Sequence, residues 1–201
     1  MTKYASDVAF TPAVKFIQEA KGSRKGYAKM EEKSGWETSA TDQLIEFVGG
    51  QDSFYFGTAS ADGQPYIQHR GGPRGFLKIL DEKTMAFADF QGNRQYITSG
   101  NLSENNKAYI FLMDYPNRRR VKVWGQARVS DDPDLIVRLS KADYRGQSEQ
   151  AIVFEITAWD VNCPQHIKPR LSMEDVEEMI VPLKHRITEL EAQLNAGKEH
   201  T

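Results

Sequence analysis

Hydrophobic positions along the chain change their spacing twice, and these changes predict three parts. The first part is polar with short helical patterns, the second alternates as β-strands do, and the third places apolar residues at helical spacing. The parts are an N-terminal helix and arm over residues 1–40, a β-barrel over residues 41–170, and a C-terminal helix over residues 171–201.

In the first part, Thr11 and Pro12 form a typical helix start. The threonine hydroxyl can cap free amides, and proline suits the first helical turn. This helix is predicted to stop near Gly22. Residues 23–39 carry lysines, glycines and scattered aromatics, which predict a loop or arm. A second short helix, over residues 43–48, leads into the next part.

From Gln51 onward, the pattern is typical of antiparallel strands. Asp62 and Gly63 fit a hairpin turn because this pair tolerates positive φ. Short helices are predicted behind Pro133 and over residues 93–98. The predicted strands cover residues 53–60, 65–70, 76–80, 84–90, 108–113, 121–129 and 151–161. Six or seven such strands with few helices indicate a mainly β fold and a closed barrel rather than a βαβ sheet.

The C-terminal part carries a heptad-like stripe of apolar residues. Its members are Met173, Val176, Ile180, Leu183, Ile187, Leu190 and Leu194. Ser172 is a candidate N-cap, and Pro182 predicts a kink or a break. Spacings of three and four predict an amphipathic helix. Two alternatives stay open: the helix packs on the barrel's own surface, or it packs against another subunit.

Composition and charge narrow the function classes. The chain has 201 residues, 39% of them hydrophobic, and a net charge of −2. These values predict one globular domain with appendages and no general attraction to nucleic acid or anionic membranes. No segment approaches the roughly 18 apolar residues of a membrane helix, and no signal peptide is apparent, so the expected location is the cytoplasm. A single cysteine, Cys163, excludes a disulfide framework, and no metal site is predicted.

Two clusters combine cations with glycines or a helix start. The first runs from Gln68, His69 and Arg70 to Lys78, where glycines let a ligand approach the backbone and arginines offer forks for phosphate. The second runs from Asp89 to Gln95 and includes Asn93, Arg94 and Gln95, where a strand gives way to a predicted helix whose N-terminus favours an anion. For the first cluster, a solvated hairpin with incidental charges is the alternative.

Two further clusters are less specific. Arg118, Arg119 and Arg120 form either a nucleic-acid patch or a solvated turn, and alternation in the following strand would point one or two of them at a ligand on the barrel. An RNA-binding barrel suits neither the acidic pI of about 6.1 nor the glycine-rich first cluster. Residues 162–170 include Cys163 and His166, and they predict a polar loop that closes a ligand pocket, with a Cys–His nucleophile pair as the alternative.

The order and spacing of several motifs resemble the flavin-nucleotide-binding split-barrel family, which is related to pyridoxamine 5′-phosphate oxidase. The resemblance covers residues 41–170, and the segment at 162–170 is similar to a subgroup described as predicted flavin-nucleotide-binding proteins. The motifs that carry it are the helix leading into Gln51-Asp52-Ser53-Phe54-Tyr55-Phe56-Gly57-Thr58, then Ala61-Asp62-Gly63-Gln64-Pro65, Gly75-Phe76-Leu77-Lys78 and Arg119-Arg120-Val121-Lys122-Val123-Trp124-Gly125.

This resemblance implies a six-stranded antiparallel split β-barrel and a homodimer with FMN at the subunit interface. Gln68, His69 and Arg70 would then lie along the ring and ribityl chain, and Lys78 would close the first basic motif. The phosphate would lie in the turn of Asn93, Arg94 and Gln95, where Gln95 replaces the usual lysine. Arg119 or Arg120 would reach the cofactor from the partner subunit.

The expected activity is that of an FMN-dependent oxidoreductase acting on a small molecule stacked on the flavin. His69 and His166 are the candidate proton donors because histidine titrates nearest to neutral pH. The alternative is a non-catalytic barrel that binds a flavin or haem for sensing or storage. No substrate pattern for pyridoxal phosphate synthesis is recognisable in the C-terminal part.

Overall fold

The computed structural model of the protein describes residues 4–141, 143–161 and 164–198. After a 3₁₀ turn at Ala5–Val8, the helices are α1 (Pro12–Ala20), α2 (Arg24–Lys33), α3 (Asp42–Gly49), α4 (Ile97–Glu104), α5 (Pro133–Leu139) and α6 (Met173–Lys198). The strands are β1 (Ser53–Ala59), β2 (Pro65–Gly71), β3 (Lys78–Ile79), β4 (Thr84–Phe90), β5 (Lys107–Asp114), β6 (Arg119–Ser130) and β7 (Ser148–Val161). No helix among these residues is long and apolar enough to cross a membrane.

All seven strands belong to one sheet, in the order β2-β1-β5-β6-β7-β4-β3. Alternate residues of each strand point to opposite faces. The buried apolar residues form a small cluster of Ala86, Ala88, Leu139 and Ala151 and one large core. Phe54 and Phe56 of β1, Ile110 of β5 and Phe154 of β7 are fully or almost fully buried there. The fold is a split barrel, mainly β with flanking helices, as the sequence predicted. The sheet has one strand more than the expected six, because the two-residue β3 pairs with β4.

Capping residues mark the helix starts that were predicted correctly. Thr11 Oγ1 accepts from the Val14 amide at 3.3 Å at the start of α1. Thr41 Oγ1 accepts from the Leu44 amide at 3.4 Å at the start of α3. In each case the side chain satisfies one of the amides that a first helical turn leaves free.

The prediction of a loop over residues 23–39 was wrong, because α2 occupies Arg24–Lys33. Its composition of Lys, Arg, Glu, Ala and Met favours a helix without any apolar periodicity. A buried carboxylate holds it in place: Glu31 pairs with Arg24 and accepts from the Ser6 hydroxyl at 2.9 Å. Polar interactions rather than an apolar stripe therefore fix this helix.

Two other boundaries also differ from the prediction. The helix expected over residues 93–98 begins only at Ile97, since Arg94 and Tyr96 have left-handed φ values of 58° and 53°. The strand expected over residues 76–80 is reduced to Lys78–Ile79.

The described residues fall into two compact units. The first runs to Asp114 and resumes at Arg120 through β7, and the second comprises Tyr115–Arg119 and the segment from Pro164 onward. In the second unit, the Ser172 hydroxyl accepts from the Asp175 amide at 3.0 Å, and the Asp175 carboxylate accepts from the Ser172 amide at 2.9 Å. This reciprocal cap starts α6, which continues as one helix through Pro182 to Lys198. Of the predicted kink or break at Pro182, the break therefore does not occur.

Candidate functional site

A polar recess opens in the first unit where β2, the end of β4 and the start of α4 meet. Its volume is about 410 Å³, including the open mouth. Strand alternation places Tyr66, Gln68 and Arg70 of β2 on the same side, facing this recess. The remaining lining residues are Asp89, Phe90, Gly92, Asn93, Arg94, Gln95, Tyr96, Ile97, Thr98, Ser99 and Glu149.

An ion pair between Arg70 and Asp89 forms the floor of the recess. Both side chains are almost buried, with 13% and 11% of their surfaces exposed. Arg70 also donates to Thr98 Oγ1 at 3.1 Å, and Gln150 Nε2 donates to the second Asp89 oxygen at 2.8 Å. Because Asp89 neutralises Arg70, the floor supplies hydrogen-bond donors rather than net charge.

Two hydrogen-bond chains extend from this pair and fix the lining. Along β2, the Thr98 and Tyr66 hydroxyls each donate to Gln68 Oε1 at 3.3 Å. On the other side, Gln150 Nε2 donates to the Ser99 hydroxyl at 2.9 Å. The recess is therefore preorganised by connections between β2, β7 and the first turn of α4.

A β-bulge at the rim positions a carboxylate. In the β4–β7 pairing, Asp89 lies opposite Gln150 while Phe90 lies opposite Ser148, so the ladder leaves Glu149 between them. Such bulges re-aim side chains. The Tyr96 hydroxyl donates to Glu149 at 2.7 Å, and this hydrogen bond raises the pKa of Tyr96 above its ordinary value.

The entry to α4 has the geometry of an anion site. The residue before the helix, Tyr96, provides no side-chain cap, so the first-turn amides do not donate to its side chain. Free amides and the helix dipole give this end a partial positive charge. Arg94 is exposed at the same place and forms no ion pair within the described residues.

The available charge and donors fit an oxygen-rich anionic group such as the phosphate of a nucleotide. Arg94 and the α4 amides provide positive potential, and Ser99 adds a hydroxyl at the same end. On the floor, Arg70 Nε is buried and has no hydrogen-bond partner among the residues that the structure describes. An unpaired buried donor is costly, and a bound oxygen would relieve that cost.

The structure brings together five of the nine residues predicted to bind the cofactor. These are Gln68, Arg70, Asn93, Arg94 and Gln95. They come from two sequence clusters that are more than twenty residues apart in the chain. Gln95 is exposed, and its backbone amide donates to Asn93 Oδ1 at 3.2 Å, which shapes the turn before α4.

His69 and Lys78 lie elsewhere in the first unit. His69 alternates with Arg70 on β2, so it points to the other face of the sheet, where its ring contacts Tyr55 at 5.6 Å between centroids. Lys78 lines a separate shallow cleft with Arg74 and apolar residues of α3 and β3.

The remaining predicted residues lie outside this recess or in the second unit. Arg119 and Arg120 begin β6, a strand that contributes no residue to the recess. Arg120 Nε is buried without a hydrogen-bond partner in the described chain. His166 is an exposed residue of the second unit with a left-handed φ of 65°. Asn162 and Cys163, which open the predicted polar loop, lie outside the described residues.

Sequence reasoning missed several of the residues that form the recess. Gln150 completes the floor with Asp89, which belonged to the second sequence cluster but had no predicted role. Thr98, Ser99 and Glu149 lie at the helix entry and the rim. Period-two alternation along β2 could have identified Tyr66 with Gln68 and Arg70. No local signal links Gln150 to Asp89, because this contact depends on the pairing of strands 61 residues apart.

Residues 40–163 match the family model described as pyridoxamine 5′-phosphate oxidase. This match covers more than half of the chain and contains every residue of the recess. The chain therefore belongs to the pyridoxamine 5′-phosphate oxidase family, whose flavin-nucleotide-binding split-barrel fold it shares. No curated protein sequence matches the chain.

Solved structures similar to this chain share its fold at low sequence identity. The 1.70 Å crystal structure of HupZ from Group A Streptococcus is 16% identical with a TM-score of 0.51, covering 66% of this chain and 99% of that chain. A histidine-to-alanine variant of HupZ is 17% identical with a TM-score of 0.50, covering 61% and 98%. An FMN-binding protein from Syntrophomonas wolfei is 14% identical with a TM-score of 0.46, covering 72% and 97%.

Proposed function

We propose that the protein binds FMN in the recess, with the phosphate at the N-terminus of α4. The observation that supports this most directly is Arg94, which has no carboxylate partner among the described residues and lies beside uncapped helix amides in the segment that matches the family. Its guanidinium donates to the Gln91 side chain, so its charge is oriented but not neutralised. Asn93 and Gln95 shape the turn around the phosphate. Gln68 and Arg70 run inward along β2 and hold the ribityl chain and ring edge.

The proposed assembly is a homodimer with FMN at the subunit interface. Support comes from the outer face of β1, β2 and β5, where Tyr55 and Ile67 are 39% and 67% exposed. Register places Tyr55 opposite both His69 and Phe111 on that face. A second copy covering this face would bury these side chains. It would also bring His69 near the partner subunit. In this proposal, Lys78, Arg119 and Arg120 contact the cofactor at the site that the two subunits share.

Bound FMN would supply hydride or electron transfer, so the proposed activity is an oxidoreductase acting on a small molecule. The chain's own contribution is to orient the flavin through Gln68 and Arg70 and to exclude water from its buried edge. Proton transfer falls to His69 and His166. If His69→Ala and His166→Ala each leave flavin reduction and reoxidation rates unchanged, neither residue has this role.

A non-catalytic flavin- or haem-binding role is the second candidate. For a flavin, it is favoured by the lining of the recess, which contains neither histidine nor cysteine among the described residues and so offers no imidazole or thiol to transfer a proton. The same lining lacks the histidine and cysteine that commonly ligate haem iron. Multiple turnovers of bound flavin with a nicotinamide reductant would exclude it. Binding without turnover across several reductants would exclude the oxidoreductase.

The binding proposal is tested by titrating the protein with FMN and with riboflavin, which lacks the phosphate. Arg94→Gln should weaken FMN binding by about tenfold to a hundredfold, because hydrogen bonds to charged groups contribute roughly 1.5–3 kcal/mol. Riboflavin affinity should stay the same. The matched control is Arg128→Gln, an exposed arginine of β6 outside the recess.

The titration has two outcomes that contradict the proposal. If the protein binds neither flavin, the recess is not a flavin site. If Arg94→Gln weakens FMN and riboflavin equally, or weakens neither, the phosphate does not lie at α4.

A further inference from the structure

The stripe on α6 is a regular heptad repeat rather than a general amphipathic pattern. From Met173, apolar residues recur every seven positions at two places in the repeat. The a positions are Met173, Ile180, Ile187 and Leu194, and the d positions are Val176, Leu183 and Leu190. An unbroken alternation of three and four residues over three heptads is the pattern of a helix that supercoils with another helix.

Five residues of this stripe are exposed in the folded chain, namely Met173, Ile180, Leu183, Ile187 and Leu190, and Val176 is half-buried. The exposure of these five ranges from 38% at Ile180 to 72% at Met173. A contiguous apolar stripe of this kind on a 26-residue helix marks an interaction surface.

The choice of residues at the two core positions identifies the kind of partner. In the two central heptads, isoleucine occupies both a positions and leucine occupies both d positions. β-branched residues at a with leucine at d favour parallel two-stranded coiled coils. The stripe is therefore suited to a second copy of the same helix in the same orientation.

Charges beside the core select the same orientation. Arg186 is at a g position and Glu191 at the following e position, so a parallel, in-register pair sets each Arg186 opposite the partner's Glu191. In an antiparallel pair that overlaps all of α6, the two copies of Lys184 would face each other, and so would the two copies of Arg186. Both contacts would be repulsive. Pro182 is at a c position, on the outward side, where it does not obstruct a partner.

We propose that α6 pairs with α6 of a second copy as a parallel, in-register, two-stranded coiled coil. The pairing does not depend on the flavin proposal, because α6 contributes no residue to the recess. Each protomer would cover the stripe from Met173 to Leu194 on the other. In this proposal, α6 mediates self-association of the protein.

Cysteine cross-linking of the full chain tests this pairing. In a Cys163→Ser background, Leu190→Cys places one thiol at a d position, and Glu178→Cys is the matched control at an outward f position. Under mild oxidation at micromolar protein, the Leu190→Cys dimer should form roughly a hundredfold faster than the control dimer, since paired helices hold the thiols at millimolar effective concentration. Equal rates would overturn the proposal.

Two extensions test orientation and register. Mixing Ile180→Cys and Leu190→Cys chains should give fewer mixed than self-linked dimers, and a predominance of mixed dimers would mean an antiparallel pair. Arg186→Glu should slow cross-linking at Leu183→Cys roughly two- to fivefold through like-charge repulsion, and adding Glu191→Arg should restore it.

This rescue distinguishes an effect between two paired helices from an effect within a single helix. Arg186 also pairs with Glu189 of its own helix at 2.9 Å. The double variant does not restore that contact, so failure of the rescue would assign the effect to the single helix and overturn the in-register pair. FMN titration of the same variants should give unchanged affinity, whatever the cross-linking result.

Discussion

The Arg70–Asp89 pair shows how single residues hold the recess. Removing one member of a buried ion pair leaves the other charge without compensation, which costs about 3–5 kcal/mol. Arg70→Met should therefore lower the free energy of unfolding in urea by an amount in this range. Gln150 is the hydrogen-bond donor to Asp89 that would remain.

The matched control is the double variant Arg70→Met/Asp89→Asn, which removes the unpaired charge but keeps a hydrogen bond to Gln150. It should recover at least half of the loss, since the two sites interact directly. A loss below about 1 kcal/mol in the single variant, the range of an exposed pair, would show that the floor is solvated.

Among the strands, β6 contains the sharpest constraint on backbone shape. Its register with β7 shifts between Trp124 and Gly125. A Cβ at Gly125 would lie 2.1 Å from the Glu155 carbonyl oxygen and 2.5 Å from the Phe154 ring. The close approach of two backbones at this bulge requires glycine.

Gly125→Ala should therefore destabilise the protein by about 1–3 kcal/mol or more, because neither the carbonyl nor the buried ring can move freely. Gly100→Ala in α4 is the control, since no atom lies within 4 Å of its added Cβ, and alanine favours a helix. Urea denaturation of both variants measures the difference. Equal stabilities would mean that β6 shifts to accept the methyl group.

The helices illustrate what local sequence can predict. Starts with a capping threonine, as in α1 and α3, were found because the signal lies within a few residues. For α2, the information lies in a buried contact between Glu31 and Ser6, 25 residues apart, and no local pattern announces it. The late start of α4 depends on left-handed backbone at Arg94 and Tyr96, which only the surrounding fold can impose on non-glycine residues.

At the scale of the whole molecule, the family and the barrel were predictable because their motifs keep a recognisable order. The composition of the recess was only partly predictable. Arg70 and Arg94 carry visible chemical signals, whereas Asp89 and Gln150 come together through the β4–β7 pairing. Period-two alternation along β2 puts His69 and Arg70 on opposite faces of the strand. Treating neighbouring residues as one binding cluster does not take this alternation into account.

The outer face of β1, β2 and β5 leads to a prediction about assembly. A Leu183→Lys/Ile187→Lys background prevents pairing through the stripe on α6. In this background, we expect two copies to associate only through the outer face of β1, β2 and β5. Ile67→Lys should then shift the protein from dimer towards monomer in light scattering, because it places a charge at the centre of an apolar contact. It should also weaken FMN binding if the partner completes the site.

The matched control is Val137→Lys, because Val137 is an exposed apolar residue of α5, 72% accessible compared with 67% for Ile67. It should leave both the mass and the FMN affinity unchanged. If the background protein is already monomeric and binds FMN as tightly as the natural chain, the recess works without a partner. In that case Tyr55, Ile67 and His69 belong to a surface that takes no part in binding the flavin.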